Sequence, residues 1–256
     1  MDNERKQQLV NLLTNPVFTI DTPDDDALLR YDQALTHSSW ASEQKQTGHP
    51  CEDYERLEFL GDCILDFIIA EELYASFKIR APELHRRFPD KTDESLLTDM
   101  LHDITNDKKI AEIVVAHPVF EESIRRGLGQ ESNDSIRAGS FEAFVAAVYC
   151  HAGIGAARHL VQQLFKDKIE RAEPIVSWKN KLQECVQKRF QPPDVRQILR
   201  YHEPVLDSMN AQLCVRVSVN GEIWGEGRAD CKRDAEVEAA KDACQHHCMD
   251  AMRYQS

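Results

Sequence analysis

Across residues 27–171 apolar side chains recur every three or four positions, the period of helices with one buried face. Segments 27–40, 53–77, 81–89, 93–105, 107–116, 118–128 and 138–171 carry this pattern, separated by Pro, Gly or Asp/Asn clusters. A shorter amphipathic stretch at 5–14 precedes the solvated turn Asp21-Thr22-Pro23-Asp24-Asp25-Asp26. No segment in 27–171 shows the alternation of a strand. The period changes after residues 172–177. Residues 178–190 read as a helix that Pro192 and Pro193 terminate, and 196–201 reads as a first strand. Leu213, Val215, Val217 and Val219 then alternate with polar or small neighbours. Asn220-Gly221 supplies a type I′ hairpin turn, Glu222 to Arg228 runs back, and a final helix covers 231–250. The expected fold is multidomain, α and α+β: an all-α domain over 1–173, a linker at 174–177, and an α-β-β-β-α domain over 178–250.

Charge changes the picture once it is divided. The 256 residues hold 31 Lys and Arg against 44 Asp and Glu, net -13, the opposite of a protein that grips nucleic acid by bulk positive charge. Residues 174–256 carry 12 of each sign, so the whole excess lies in 1–173. No uninterrupted apolar run approaches the roughly 20 residues of a membrane span, and Met1-Asp2-Asn3-Glu4-Arg5-Lys6 lacks the features of a secretory signal. We therefore expect a cytoplasmic protein with no membrane association. The eight cysteines are dispersed without CxxC pairs, as reduced thiols would be. Cys244, His247 and Cys248 share a helical face, but a structural zinc site needs four ligands; packed helix cysteines are the expectation.

The acids of the first domain are not evenly spread. In Glu55-Arg-Leu-Glu58-Phe-Leu-Gly-Asp62, three carboxylates fall at i, i+3 and i+7 and project from one helical face. Glu58 and Asp62 form a like-charge i,i+4 pair, which weakens a helix unless a cation or proton intervenes. Glu142 lies beside the apolar stripe Phe141, Phe144, Val145 and Val148, so it is partly desolvated and needs a partner. Glu94 stands at a helix start, where the macrodipole favours an acid in any case.

The run Tyr54 to Asp62 resembles the signature helix of the ribonuclease III family. Ala34-Leu-Thr-His-Ser-Ser39, Glu94 to Thr98 and Phe141-Glu-Ala143 resemble its other blocks in the same order, and the tail resembles a double-stranded-RNA-binding domain. The resemblance spans about 27–250. It implies an endoribonuclease that hydrolyses double-stranded RNA, including ribosomal precursors, and leaves 5′-phosphate and 3′-hydroxyl ends. It assigns catalysis to Asp62 and Glu142, metal binding to Glu58, Asp62 and Glu142, and supporting acidic roles to Glu55 and Glu94. The implied cofactor is Mg2+, with Mn2+ able to substitute. One nuclease domain per chain implies a homodimer, with Phe59 at a family dimer-interface position.

In the tail, Lys232 and Arg233 occupy the first turn of a helix, where the macrodipole disfavours cations. The resemblance places them on RNA phosphates and sets Lys181, Gln183 and Glu184 of helix 178–190 in the minor groove. The loop Tyr201 to Asn210 is longer than the family's and lacks its histidine at the usual place, leaving His202 as a substitute. In the nuclease domain, the family's acid three positions before Glu142 is here Gly139. That departure keeps open a catalytically silent RNA-binding or ribosome-associated protein of the same fold.

Overall fold

The computed structural model describes residues 1–20, 23–175, 177–207 and 212–248. Asp21 and Thr22 of the first turn, Val176 of the linker, residues 208–210 of the long loop and residues 249–250 of the expected last helix lie outside them. The chain divides into two compact units: residues 1–82 with 92–174, and residues 83–91 with the chain from Ile175 onward.

The first unit is helical, and side chains close most of its helix starts. Asp2 caps α1 (Asn3–Leu13), Asp24 caps α2 (Asp25–Ala34), Thr92 caps α5 (Asp93–Ile104), Asn106 caps α6 (Asp107–Ala116) and Asn133 caps α8 (Asp134–Glu170). The expected helix 27–40 is two. It breaks at Leu35–His37, where Arg125 N–H donates to Leu35 O and His37 N–H donates to Arg125 O, and α3 (Ser38–Gln46) restarts under the His37 ring. The same pairing stops the expected helix 118–128, leaving only α7 (Pro118–Glu121). Conversely, 53–77 and 81–89 merge into α4 (Glu55–Arg87), which continues through Pro82.

Helix α8 forms the centre of this unit. From Ala138 to Val148 every residue is buried, and Phe141 and Phe144 join Phe18, Tyr31, Phe120 and Phe165 in ring contacts with centroids 5.1–5.9 Å apart. By length and composition α8 is apolar enough to cross a membrane. Its buried residues make it a core helix instead, and Gly153, at φ 78°, interrupts it.

The second unit contains α9 (Trp178–Phe190), a single 3-10 turn (Val195–Gln197), a four-stranded antiparallel sheet and α10 (Lys232–His247). The expected first strand 196–201 is shortened to β1 (Leu199–Tyr201), its start taken by the 3-10 turn, and an unexpected strand, β2 (Val205–Asp207), forms within the expected loop; β1 pairs with the end of β3 (Gln212–Val219) and β2 with its beginning. Pro204 stands between β1 and β2. β3 turns through Asn220 and Gly221, at φ 51° and 82°, into β4 (Glu222–Ala229), as the I′ signal requires. α10 lies almost directly on β4, because Gly225 and Gly227 face its Ala239, Ala243 and Ala235; a Cβ at Gly227 would stand 2.2 Å from Ala235 O. The core is Leu182, Val186, Val217, Val219, Trp224 and the α10 alanines.

The cysteine expectation is corrected here. Cys185 of α9 and Cys248 at the end of α10 form a disulfide across 63 residues. Cys248 therefore leaves the zinc set. Cys244 is buried, its thiol pushed up to about 11 by burial, and His247 stacks on Trp224 at 4.6 Å.

Candidate functional site

The acids of α4 and α8 meet because Gly61 lets the two helices touch. A Cβ at Gly61 would stand 1.7 Å from Glu142 O, so no other residue is compatible with this approach. Glu58 and Asp62 flank Gly61 on α4, and Glu142 occupies the facing turn of α8. Glu142 is 8% exposed, and its carboxyl makes no hydrogen bond or ion pair among the described residues. Burial, then the charges of Asp62, Glu58, Asp107 and Asp66, push its carboxyl up to about 8. Glu58 is also raised, first by burial and then by Glu55, Asp107 and Asp62.

Gly139 adjoins this group. A Cβ built on it would lie 2.9 Å from the Glu58 carboxyl carbon, so Glu58 fills the space where a side chain at 139 would begin. Glu55 opens α4, exposed, and its charge bears on Glu58. Glu94 is exposed in the first turn of α5, and its charge is not among those that most affect Glu58 or Glu142.

Two acids that sequence reasoning passed over add their charge to the group. Asp66 continues the α4 stripe one turn beyond Asp62, a signal open to reading at i+4. Its carboxyl is raised by burial and by the charge of Asp62, and its Oδ1 is buried without a partner. Asp107, at the start of α6, had no comparable local signal. Among the described residues no Lys or Arg forms an ion pair with Glu58, Asp62, Asp66, Asp107 or Glu142. A buried, unpartnered carboxyl among like charges suits a hard divalent cation, which neutralises charge and takes oxygen ligands. As the side chains stand, no three acids, histidines or cysteines among the described residues converge tightly enough to enclose an ion.

On α10, Cys231 provides no capping side chain, so the first-turn N–H groups have no side-chain acceptor. Arg233 is exposed, and Lys232 Nζ lies 3.2 Å from Glu203 at the surface. On α9, Gln183 and Glu184 are exposed. Lys181 is half-buried, its ammonium 5.3 Å from the Trp178 ring centroid and pulled down to about 8, chiefly by burial. His202 turns onto the sheet, its Nε2 2.9 Å from Ser218 Oγ and its N–H donated to Arg216 O. Phe59 is 76% exposed, so it is not core.

The comparisons agree with this layout. A family model described as ribonuclease-III-like matches residues 25–169, and one described as the double-stranded RNA binding motif matches residues 178–247. Ribonuclease 3 of Natranaerobius thermophilus is 32% identical over 86% of this chain and 90% of its own length. Ribonuclease 3 of Dehalococcoides mccartyi is 30% identical over 84% and 86%. The nuclease domain of ribonuclease III from Campylobacter jejuni superposes with a TM-score of 0.45 at 24% identity, covering 65% of this chain and 97% of that one. The family generally depends on a metal ion. A nuclease-type helical unit followed by a double-stranded-RNA-binding fold, matched over most of its length, places this chain in the ribonuclease III family.

Proposed function

We propose that the protein is an endoribonuclease that hydrolyses phosphodiester bonds of double-stranded RNA with Mg2+ bound by Glu58, Asp62 and Glu142. The observation that carries this reading is Glu142: a buried carboxyl with no partner, raised to about 8 by burial and neighbouring acids, is costly to folding and useful to a cation. When bound, the cation supplies a water of lowered pKa and neutralises charge on the scissile phosphate. The chain holds the acids in register through the contact at Gly61, and the apolar packing of α8 keeps water from behind Glu142. Lys232, Arg233 and the uncapped start of α10 hold duplex phosphates, with Gln183 and Glu184 on the minor-groove side. Lys181 serves here through its half-buried stem more than as a free cation.

The functional unit is a homodimer. Phe59, Cys63, Phe67 and Tyr74 are all exposed along one stripe of α4 bordering the carboxylates, an apolar surface suited to the same stripe of a second copy. The reading includes a cytoplasmic location and structured RNA, such as ribosomal precursors, as substrate. Gly139 favours a second reading, a silent RNA-binding protein of the same fold. Incubating purified protein with Mg2+ and either a long duplex or its single strands separates them. The first reading expects short duplex products from the duplex alone, whereas duplex binding without cleavage, converted to cleavage by Gly139→Asp, supports the second.

A further inference from the structure

Helix α10 is held in the second unit by little apolar surface. The residues it buries are Ala235, Ala239, Ala240, Ala243 and Cys244, kept small because Gly225 and Gly227 bring β4 against its backbone. Each alanine removes much less surface from water than a leucine or valine would, such as Leu182 and Val186 on α9. Neither end of α10 is closed by a side chain or a glycine. Cys231 supplies no acceptor at the start. At the other end the last backbone bond runs from Cys248 N–H to Cys244 O, and Cys248 is extended, without the left-handed glycine that commonly ends a helix.

The Cys185–Cys248 bond fastens this weak end to the middle of α9, across a sequence separation of 63 that encloses the whole sheet. A link over so long a loop removes much chain entropy from the opened states, and domains below roughly 80 residues commonly depend on such a staple. The two Cα atoms stand 6.1 Å apart, an ordinary spacing for the bond, so the helices need not move for it to open or close. Cys185 is half-buried, within reach of a small thiol. Cys244, one turn before Cys248, is no rival partner: it is buried and donates its thiol proton to Trp178 O at 3.7 Å. We propose that Cys185 and Cys248 form a reversible redox clamp on the RNA-binding unit: the disulfide keeps α10 folded and competent for duplex RNA, and the dithiol releases the end of α10 and weakens that binding. Closing the clamp takes two electrons and two protons from the thiols. A small disulfide such as oxidised glutathione accepts them: one cysteine attacks it, forming a mixed disulfide and releasing one thiol, and the other cysteine then displaces the second thiol. Excess thiol runs both steps backward. The cytoplasmic location read above keeps cysteines reduced, so there the clamp closes when small disulfides accumulate.

The test uses the full-length protein equilibrated with reduced or oxidised glutathione, alongside Cys185→Ser and Cys248→Ser. Peptide mapping follows the bond, hydrogen exchange follows the amides of α9 and α10, and fluorescence anisotropy follows duplex binding from 10 to 50 °C. Oxidation should join Cys185 to Cys248 and slow exchange in the last turns of α10 by about a hundredfold. It should also raise the temperature at which duplex binding is half lost by about 10 °C or more. Both serine variants should behave as the reduced protein in either buffer. Absence of the Cys185–Cys248 peptide in oxidised glutathione, or α10 exchange alike in the two buffers, would overturn the clamp. Slower exchange with duplex binding identical at every temperature would overturn its control of RNA binding. The RNA arm rests on the reading of Lys232 and Arg233 given above; should Lys232→Ala with Arg233→Ala leave duplex binding intact, that reading fails while the exchange measurement still decides the clamp.

Discussion

Replacing Glu142 by Gln removes a titrating group from a buried position while keeping its shape, so its cost to folding becomes measurable. The folded protein holds this carboxyl at about 8 against an ordinary 4.5. The folded state therefore binds the proton more tightly than the unfolded chain. Stability associated with the group is fully present below pH 4.5 and is lost as pH rises through about 8. The difference corresponds to at most about 5 kcal/mol, and relaxation around the site brings the expected value to roughly 2–4 kcal/mol. In EDTA, urea denaturation followed by helical circular dichroism should show Glu142→Gln close to wild type at pH 5 and progressively more stable toward pH 9. Saturating Mg2+ should recover the loss in the wild type and do little for the variant. A wild-type-to-variant difference that is constant from pH 5 to 9 would refute the reasoning.

Three further outcomes follow from the geometry. Gly61→Ala would drive a methyl group into Glu142 O, separating α4 from α8; it should cost about 3 kcal/mol or more in thermal or urea stability and weaken metal binding. Phe59→Glu puts a charge on the exposed stripe and should yield a monomer by sedimentation equilibrium, with helical content unchanged. Lys232→Ala with Arg233→Ala should weaken duplex binding and reduce the slope of log affinity against log salt by about 1–2.

What was legible in the sequence was what is local. The α4 carboxylates and the apolar run around Glu142 follow from helical period, and the Asn220-Gly221 turn from its two residues. The contact at Gly61 that brings those carboxylates together joins residues 81 positions apart, Gly61 and Glu142, and is invisible to spacing. Asp107 was missed for the same reason: by spacing alone an Asp opening a helix is unremarkable. The Cys185–Cys248 bond joins two helix positions with no motif between them, and reading Cys248 with its near neighbours Cys244 and His247 pointed the wrong way. Helix limits were misplaced where a long-range pairing intervened, as at Thr36 and Arg125, or where a helix ran through its proline at Pro82.

Single-turnover cleavage of an end-labelled duplex in Mg2+, with wild type and Glu142→Gln both saturating the RNA, tests the central claim most directly. The account predicts staggered cleavage into short duplexes by the wild type, with product ends carrying 5′-phosphate and 3′-hydroxyl. It predicts a loss of at least about a thousandfold in Glu142→Gln at unchanged duplex affinity. Cleavage by the variant at the wild-type rate, or no cleavage by a wild-type protein that binds the duplex, would contradict it.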